Sequence, residues 1–243
     1  MDSNHKAFDL TASFARIDGY LAASSGNYEE VSELPDRDRL TYANGFYAMC
    51  SAVFIDIRDS SGLPSKYKRP ALAKLYRAFI SEAVAILNSH QKAREINIVG
   101  DCVWAVFNTP YKADIGRVFD KIAQLRSMIK VLDYKLKKAA YDDGISIGIG
   151  ASYGRALMIK AGYNGSGLSD VIYMGDVVNH AAKLASKGNT SGWYAEPIYL
   201  GNLFAENLTD DDATLVTKDW QSDCYTANVV NVAMEDWYQQ NCT

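Results

Sequence analysis

The stretch "INIVGDCVWAVF", residues 96–107, decides the middle of the fold. Two apolar runs are separated by Gly100 and Asp101, which is the pattern of two strands joined by a tight turn. Two residues of this hairpin have side chains that its structure alone does not require. Asn97 is an amide in an otherwise apolar strand, and Asp101 is a carboxylate at a bend where serine or asparagine would also serve. These two residues make the hairpin a candidate functional element.

The periodicity on either side of the hairpin predicts an α+β fold. The order of elements is β-α-β-β-α-β, which favours a ferredoxin-like sandwich with helices on one face of a mainly antiparallel sheet. The predicted elements are a central strand over 46–57, amphipathic helices over 69–90 and 114–140, a turn at 142–144, a strand and hairpin over 145–161, a loop over 163–170, a helix over 176–188 and a strand within 192–200.

Both ends of the chain extend this unit. Residues 1–44 are predicted to form a leader helix and a connector, with 22–40 as loop. Residues 45–243 are predicted to form one domain that carries the function, and its last residues form a C-terminal extension with a terminal helix.

Composition excludes several classes of protein. The chain has 243 residues, of which 48% are apolar and 22% charged, with a net charge of -4. This balance is typical of a soluble globular protein and predicts no nucleic-acid partner. The longest apolar run, 48–55, is far shorter than the roughly 20 residues that span a bilayer. The four cysteines show no metal-binding spacing and the start lacks a signal peptide, so we expect a reduced, cytoplasmic protein without a membrane partner.

A second stretch, "FIDIRDSSG" at 54–62, places Asp56 at the end of the central strand, before a loop of small residues. Taken alone, this carboxylate is more simply a cap or turn residue. The central strand and the hairpin are neighbours in a β-α-β-β unit, however, so Asp56 and Asp101 face each other across adjacent strands. Paired carboxylates at a sheet edge predict a divalent-metal site for phosphate chemistry.

A third stretch, "YMGDVVNHAAKL" at 173–184, carries Asn179 and Lys183. Four residues apart on a helix, the two side chains share one face and could meet a polyanion. Taken alone, they are more simply ordinary surface residues.

The three stretches together, in this order and with "ISIGIGASYG" between the second and third, resemble the catalytic domain of the class III nucleotidyl cyclases, the adenylate and guanylate cyclases. The resemblance covers roughly residues 47–200. It implies the ferredoxin-like sheet and a head-to-tail homodimer, with composite active sites to which both chains contribute. The implied reaction is attack of a ribose 3′-hydroxyl on the α-phosphate of a nucleoside triphosphate, with release of pyrophosphate.

The resemblance also implies roles for individual residues. Two Mg²⁺ or Mn²⁺ ions per site would be bound by the Asp56 and Asp101 carboxylates with the Ile57 carbonyl. Asn179 matches the asparagine that orients the ribose and the transition state, and Lys183 stands where the family usually has arginine, which would supply a forked donor that lysine lacks. The loop that binds the phosphates matches Arg58, Asp59, Ser60 and Ser61.

The base pocket departs from both purine patterns. Phe54 matches a wall of the pocket. Asn97 stands where adenylate cyclases carry lysine and guanylate cyclases commonly glutamate, and Ile172 stands where those classes carry a polar residue or cysteine. An amide that both donates and accepts, next to a bulky apolar residue, suits a smaller base. The combination resembles the pyrimidine cyclases of bacterial anti-phage (Pycsar) signalling, which make cyclic UMP or cyclic CMP for a separate cyclic-nucleotide effector.

Three hypotheses remain at this point. A pyrimidine cyclase is favoured, with UTP ahead of CTP because uridylate cyclases are the commoner activity in that group. An adenylate or guanylate cyclase with an atypical base pocket is the first alternative, and a catalytically degenerate nucleotide-binding domain is the second. The residues do not choose between uracil and cytosine, and they leave the roles of Lys218 and of the first 44 residues open.

Overall fold

The computed structural model describes residues 3–141, 143–190 and 195–242. Its strands and helices follow the predicted order, with additional elements at both ends. The strands are β1 Tyr28–Glu30, β2 Gly45–Ile57, β3 Ala93–Val99, β4 Cys102–Asn108, β5 Ile147–Tyr163, β6 Leu168–Met174, β7 Ile198–Leu200, β8 Thr217–Asp219 and β9 Cys224–Ala227. The helices are α1 Leu10–Leu21, α2 Leu63–Lys66, α3 Arg69–Asn88, α4 Lys112–Lys138, α5 Asp176–Ala185, α6 Asn202–Glu206, α7 Asp210–Ala213 and α8 Val232–Asn241.

The chain forms two compact units. The larger unit comprises Cys50–Gly154 and the residues from Val177 onward. Its strands lie in the order β3-β4-β2-β5-β7-β9-β8. β2 pairs antiparallel with β4, which pairs antiparallel with β3, whereas β5 and β7 run parallel. This mixed sheet confirms the predicted α+β fold, with β2 as a central strand. The helices do not all lie on one face as predicted, because α5 packs on the face opposite α3 and α4.

The core of the larger unit lies between the sheet and helices α3 and α4. Alternation along β2 points Val53 and Ile55 into this core, where they pack with Phe79 of α3 and Ile122 of α4, all fully buried. Burial of each such side chain contributes about 1.5–3 kcal/mol. Because the strand alternates, the residues between the core positions of β2 point to the opposite face of the sheet.

Two glycines of β5 bring helix α5 against the sheet. A Cβ atom added at Gly150 would lie 2.1 Å from both the Ala181 carbonyl oxygen and the Ala185 amide nitrogen. One added at Gly148 would lie 2.1 Å from the Ala185 carbonyl oxygen. Only glycine therefore lets the backbone of α5 lie directly on this strand. These glycines belong to "ISIGIGASYG", one of the four stretches in which the sequence resembles the class III cyclases.

The smaller unit comprises the residues up to Met49 together with Arg155–Asp176. Within it, β1 pairs in parallel with the beginning of β2, and β6 pairs antiparallel with the second half of β5. The predicted leader helix is α1, which begins after Asp9, whose side chain accepts a hydrogen bond from the Ala12 amide at 3.0 Å. The boundary predicted at residue 44 stays a prediction.

Three local predictions are wrong. Residues 145–161 do not contain a turn, because β5 continues to Tyr163 and is paired along its second half with β6. The loop predicted over 163–170 is correspondingly shorter, and its reversal uses Gly165 and Gly167 at positive φ. Residues 28–30, predicted as loop, form the short strand β1.

Some predicted features fall outside the described residues. These are residue 142 of the predicted turn at 142–144 and residues 192–194 of the predicted strand, of which the structure describes β7. In the part of the chain that is described, no helix is both long and apolar enough to cross a membrane. Cys50, Cys102, Cys224 and Cys242 are free thiols.

Candidate active site

The two predicted carboxylates lie at one end of neighbouring strands. Asp56 stands one residue before the end of β2 and is paired in register with Cys102, the first residue of β4. Asp101 immediately precedes Cys102 in the hairpin turn, which Gly100 makes possible with a φ of 64°. The register of the β2–β4 pair therefore brings together two acids that are 45 residues apart in sequence.

The electrostatics of this pair show that the carboxylates interact. Burial raises the pKa of Asp56, and the charge of the neighbouring Asp101 raises it further, against the opposing effect of Arg58. The Oδ2 atom of Asp101 is buried without a hydrogen-bond partner among the described residues. Burial also raises the pKa of the Tyr76 hydroxyl on α3, and the charges of Asp101 and Asp56 raise it further. A pair of crowded carboxylates with an unpartnered oxygen is the type of group that a hard cation would satisfy.

The loop after β2 places Arg58 against Asp56. One guanidinium nitrogen, Nη2, donates to Asp56 Oδ2 at 2.6 Å, and the other, Nη1, donates to the Ser186 carbonyl at 3.0 Å. The Arg58 amide donates to the Ser146 carbonyl at 2.8 Å, so a phosphate on this loop would have to meet the amides that follow. The turn continues through Asp59, which takes the left-handed conformation with a φ of 52°.

The next residues of the loop, Ser60 and Ser61, begin a short 3-10 turn that ends at Gly62. Together with Asp59, they are the part of the predicted phosphate loop whose amides remain candidates for phosphate binding. Leu63 follows as the buried anchor of helix α2.

A row of three side chains crosses the sheet beside the acids. Phe54 of β2 is paired with Trp104 of β4, which is in turn paired with Asn97 of β3. The Phe54 and Trp104 rings stack with centroids 5.3 Å apart and planes at 3°. They border a cavity of about 260 Å³ that Asp56 also lines, together with small residues at the end of α5, Ala182, Ala185 and Ser186. An aromatic wall, an acid and an amide thus lie on one face of the sheet.

Helix α5 presents the predicted polar pair to solvent. Val177, Ala181 and Leu184 are buried, whereas Asn179 and Lys183 are exposed. The two side chains therefore share an exposed face, as their spacing predicts. Ile172 lies on β6 in the smaller unit, where it is paired with Ile159 and is 43% exposed.

Sequence reasoning missed two residues of this site, Trp104 and Ser186. Alternation could have found Trp104, because it stands two positions after Cys102 and so shares a face with it. No local signal marks Ser186, since its role comes from a carbonyl that Arg58 reaches from a distant loop. Lys218 donates to Asn202 Oδ1 at 2.6 Å and to Asp223 Oδ1 at 3.2 Å, and so belongs to a polar network of its own chain.

Comparison with known proteins identifies the family of the chain. Residues 43–192 match the family described as the adenylate and guanylate cyclase catalytic domain. The chain is 39% identical to a uridylate cyclase from Gulbenkiania mobilis, over 99% of this chain and 100% of that protein. It is 36% identical to a uridylate cyclase from Treponema porcinum, over 86% of this chain and 73% of that protein.

The fold is also shared with solved structures. The structure of a bacterial light-regulated adenylyl cyclase matches with a TM-score of 0.62 and 20% identity, over 80% of this chain and 98% of that chain. At that identity the match concerns the fold alone. Family, relatives and fold agree along most of the sequence, and the chain belongs to the adenylate and guanylate cyclase catalytic domain family.

Proposed function

We propose that this protein is a uridylate cyclase, which converts UTP to 3′,5′-cyclic UMP and pyrophosphate. The observation that carries the proposal is the similarity to two proteins named uridylate cyclase, one of them over nearly the full length of both chains. The ribose 3′-oxygen forms a bond to the α-phosphorus, the bond from that phosphorus to the bridging oxygen breaks, and the hydroxyl proton passes to water.

The carboxylate pair fits a divalent cation. Asp56 and Asp101 supply hard oxygen ligands, and Asp101 Oδ2 lacks a partner in the described residues. The described residues contain no group of three or more His, Cys, Asp or Glu side chains that could hold a metal. Oxygens of the substrate and of water would therefore complete the coordination of the ions. We propose that Asp56, Asp101 and the Ile57 carbonyl hold two Mg²⁺ or Mn²⁺ ions. When bound, such ions lower the pKa of the attacking hydroxyl and neutralise the triphosphate.

The rest of the chemistry is positioning and charge complementarity. The reaction is intramolecular, so holding the 3′-oxygen in line with the leaving oxygen supplies much of the rate. Asn179 orients the ribose, and the positive charge of Lys183 stabilises the negative charge that develops on the phosphate oxygens in the transition state. The amides of Asp59, Ser60 and Ser61 donate to phosphate oxygens, with Arg58 at the start of the loop.

Base selection rests on the row across the sheet. The stacked Phe54 and Trp104 rings form an apolar wall, and Asn97 stands next to Trp104 in register. The Asn97 amide can pair with the polar edge of uracil or cytosine. Ile172 stands where purine cyclases carry a polar residue or cysteine, and its side chain offers no hydrogen bond to a base. These residues favour a pyrimidine, and the similarity to two uridylate cyclases favours UTP, with CTP as the related substrate.

The wider setting is also a proposal. Two chains would pair head to tail, so that Asp56 and Asp101 of one chain and Asn97, Asn179 and Lys183 of the other serve the same substrate. The cyclic nucleotide would act in the cytoplasm as a second messenger in anti-phage defence, read by a separate effector protein.

Incubation with each of the four ribonucleoside triphosphates and Mn²⁺, with products separated by mass spectrometry, tests this function. We expect cyclic UMP as the main product, with cyclic CMP as the main by-product. Cyclic AMP or cyclic GMP as the main product would contradict the base assignment, and no cyclic product from any triphosphate would contradict the activity. Asp101→Asn is the matched negative control, since it keeps the shape of the side chain.

A further inference from the structure

Arg58 contacts the candidate metal site and helix α5 at the same time. Its side chain is only 13% exposed. Nη2 forms an ion pair with Asp56 at 2.6 Å, and Nη1 donates to the Ser186 carbonyl at 3.0 Å. The Nε atom is buried without a partner among the described residues. The guanidinium is therefore held by these two contacts, one at each end of its fork.

The contact with Ser186 is made at the end of α5. Ser186 follows the last residue of that helix, and its hydroxyl donates back to the Lys183 carbonyl at 2.7 Å. Carbonyls at a helix C-terminus lack intrahelical donors and carry partial negative charge, so a guanidinium there is favourable. Arg58 thus caps the helix that presents Asn179 and Lys183, from a loop that begins at Asp56.

The Arg58 guanidinium binds the same Asp56 carboxylate that would bind a cation. Together, Asp56, Asp101 and Arg58 carry one net negative charge, which a single divalent cation would reverse. The cation and the guanidinium compete for the same carboxylate, and at ion-pair distances each would repel the other. A cation bound to Asp56 should therefore weaken or break the Arg58–Asp56 pair, while the Ser186 carbonyl remains available to the released guanidinium.

We propose that Arg58 is a positioning residue that yields Asp56 to the divalent cation and, through its contact with Ser186, transmits cation binding to the end of helix α5. In the head-to-tail dimer of the proposed function, on which this inference rests, the two ends of the contact serve different active sites. Cation binding at one site would then alter the helix that presents Asn179 and Lys183 to the other.

The test compares the wild type with Arg58→Met, Arg58→Lys and Arg117→Met, all without nucleotide. Arg117 is a matched control, because it also pairs with an aspartate but lies on α4 and is exposed. Mn²⁺ binding is followed by electron paramagnetic resonance of the free ion. Hydrogen exchange of the peptide containing residues 183–190 is measured with and without Mn²⁺. Circular dichroism verifies the fold of each variant.

We expect Arg58→Met to bind Mn²⁺ on the order of tenfold more tightly than the wild type, because a competing charge is removed. Its exchange at 183–190 should no longer respond to Mn²⁺. Arg58→Lys keeps the charge but lacks the fork, so its Mn²⁺ affinity should stay near that of the wild type while the exchange response is lost. Arg117→Met should behave as the wild type in both measurements.

Two results would overturn the proposal. Unchanged or weaker Mn²⁺ binding by Arg58→Met would show that Arg58 does not compete with the cation. An exchange response to Mn²⁺ that persists in Arg58→Lys would show that the two-point contact does not transmit binding, and this result does not depend on whether Arg58→Met folds. Neither Mn²⁺ binding nor hydrogen exchange depends on product formation. An absence of cyclic UMP would therefore contradict the proposed function without contradicting the role of Arg58.

Discussion

The Phe54 and Trp104 rings stack with centroids 5.3 Å apart and planes at 3°, across the paired strands β2 and β4. Such an aromatic pair buries a large apolar area and fixes the orientation of both rings. Both rings line the cavity that Asp56 borders. The shape of the proposed base pocket thus depends on Trp104 as well as on the predicted Phe54.

Trp104→Leu should therefore alter base selection. The smaller side chain leaves Phe54 without its partner and widens the cavity, so we expect UTP turnover to fall about tenfold while the preference over ATP shrinks. The measurement is kcat/KM for each triphosphate. Trp237→Leu is the control, since that tryptophan lies on α8 and is 45% exposed. Equal losses for UTP and ATP would indicate that Trp104 supports the fold without selecting the base.

The two acids should respond differently to neutralisation. Burial raises the pKa of Asp56 and the charge of Asp101 raises it further, so Asp101→Asn removes a repulsion and the metal-free protein should be more stable than the wild type. Asp56→Asn instead leaves the Arg58 guanidinium without its ion pair, and this variant should be less stable than the wild type. Urea denaturation in the presence of a chelator measures both.

Both variants should lose more than about a hundredfold in turnover, since loss of even an outer partner of a metal ligand typically costs about ten- to a hundredfold. Asp143→Asn is the control, because Asp143 is 60% exposed and pairs with Lys66 on the surface. A stabilised Asp56→Asn variant would contradict the assigned ion pair. Full activity of either variant would contradict the metal site.

Gly150→Ala should separate helix α5 from the sheet. The added Cβ would meet two backbone atoms of α5 at 2.1 Å, and no side-chain rotation can relieve that contact. We expect a loss of about 3 kcal/mol in free energy of unfolding and a fall in kcat, since Asn179 is on the displaced helix. Gly154→Ala is the control, because its Cβ would lie 3.6 Å from Val177, an ordinary contact. Similar losses in the two variants would show that the close approach at Gly150 is not the cause.

His90 gives the fold a predictable dependence on pH. Its side chain is buried against Phe107, with ring centroids 5.1 Å apart, and its Nδ1 accepts from the Lys92 amide at 3.0 Å. Burial lowers the pKa of His90, and the charges of Lys121 and Arg117 lower it further. The unfolded chain then binds more protons between the lowered pKa and the ordinary value of about 6.5, so stability rises with pH in that window and is lost as pH falls.

His90→Gln should flatten this dependence of stability on pH, because glutamine at position 90 has no group that titrates in this pH range. The measurement is the free energy of unfolding by urea at pH values from about 5 to 8, the range in which histidine changes charge. His5→Gln, at an exposed position near the N-terminus, should keep the wild-type slope. A His90→Gln profile as steep as that of the wild type would assign the slope to other groups.

The sequence could predict those parts of the site that strand alternation and register determine. Asp56 and Asp101 lie close together because the central strand and the following hairpin are neighbours in the sheet. Apolar periodicity predicts the strand and the hairpin, and the β-α-β-β order of elements predicts that they are adjacent. The end of β5 could not be predicted in this way, since residues 155–163 have strand character throughout and only the partner β6 shows where the turn lies. The contact of Arg58 with Ser186 joins residues 128 apart and depends on how closely α5 approaches the sheet, which no local pattern encodes.

Mixed dimers test the proposed division of each site between two chains. Asp101→Asn and Asn179→Ala are each expected to be inactive alone, because each homodimer lacks one group at both sites. In a mixture of the two, random pairing makes half of the dimers mixed, and each mixed dimer has one intact site, so activity should return to about a quarter of the wild-type value. Asp56→Asn mixed with Asp101→Asn is the control and should recover nothing, because both changes affect the same half of the site. Recovery in the control, or none in the first mixture, would contradict the head-to-tail arrangement.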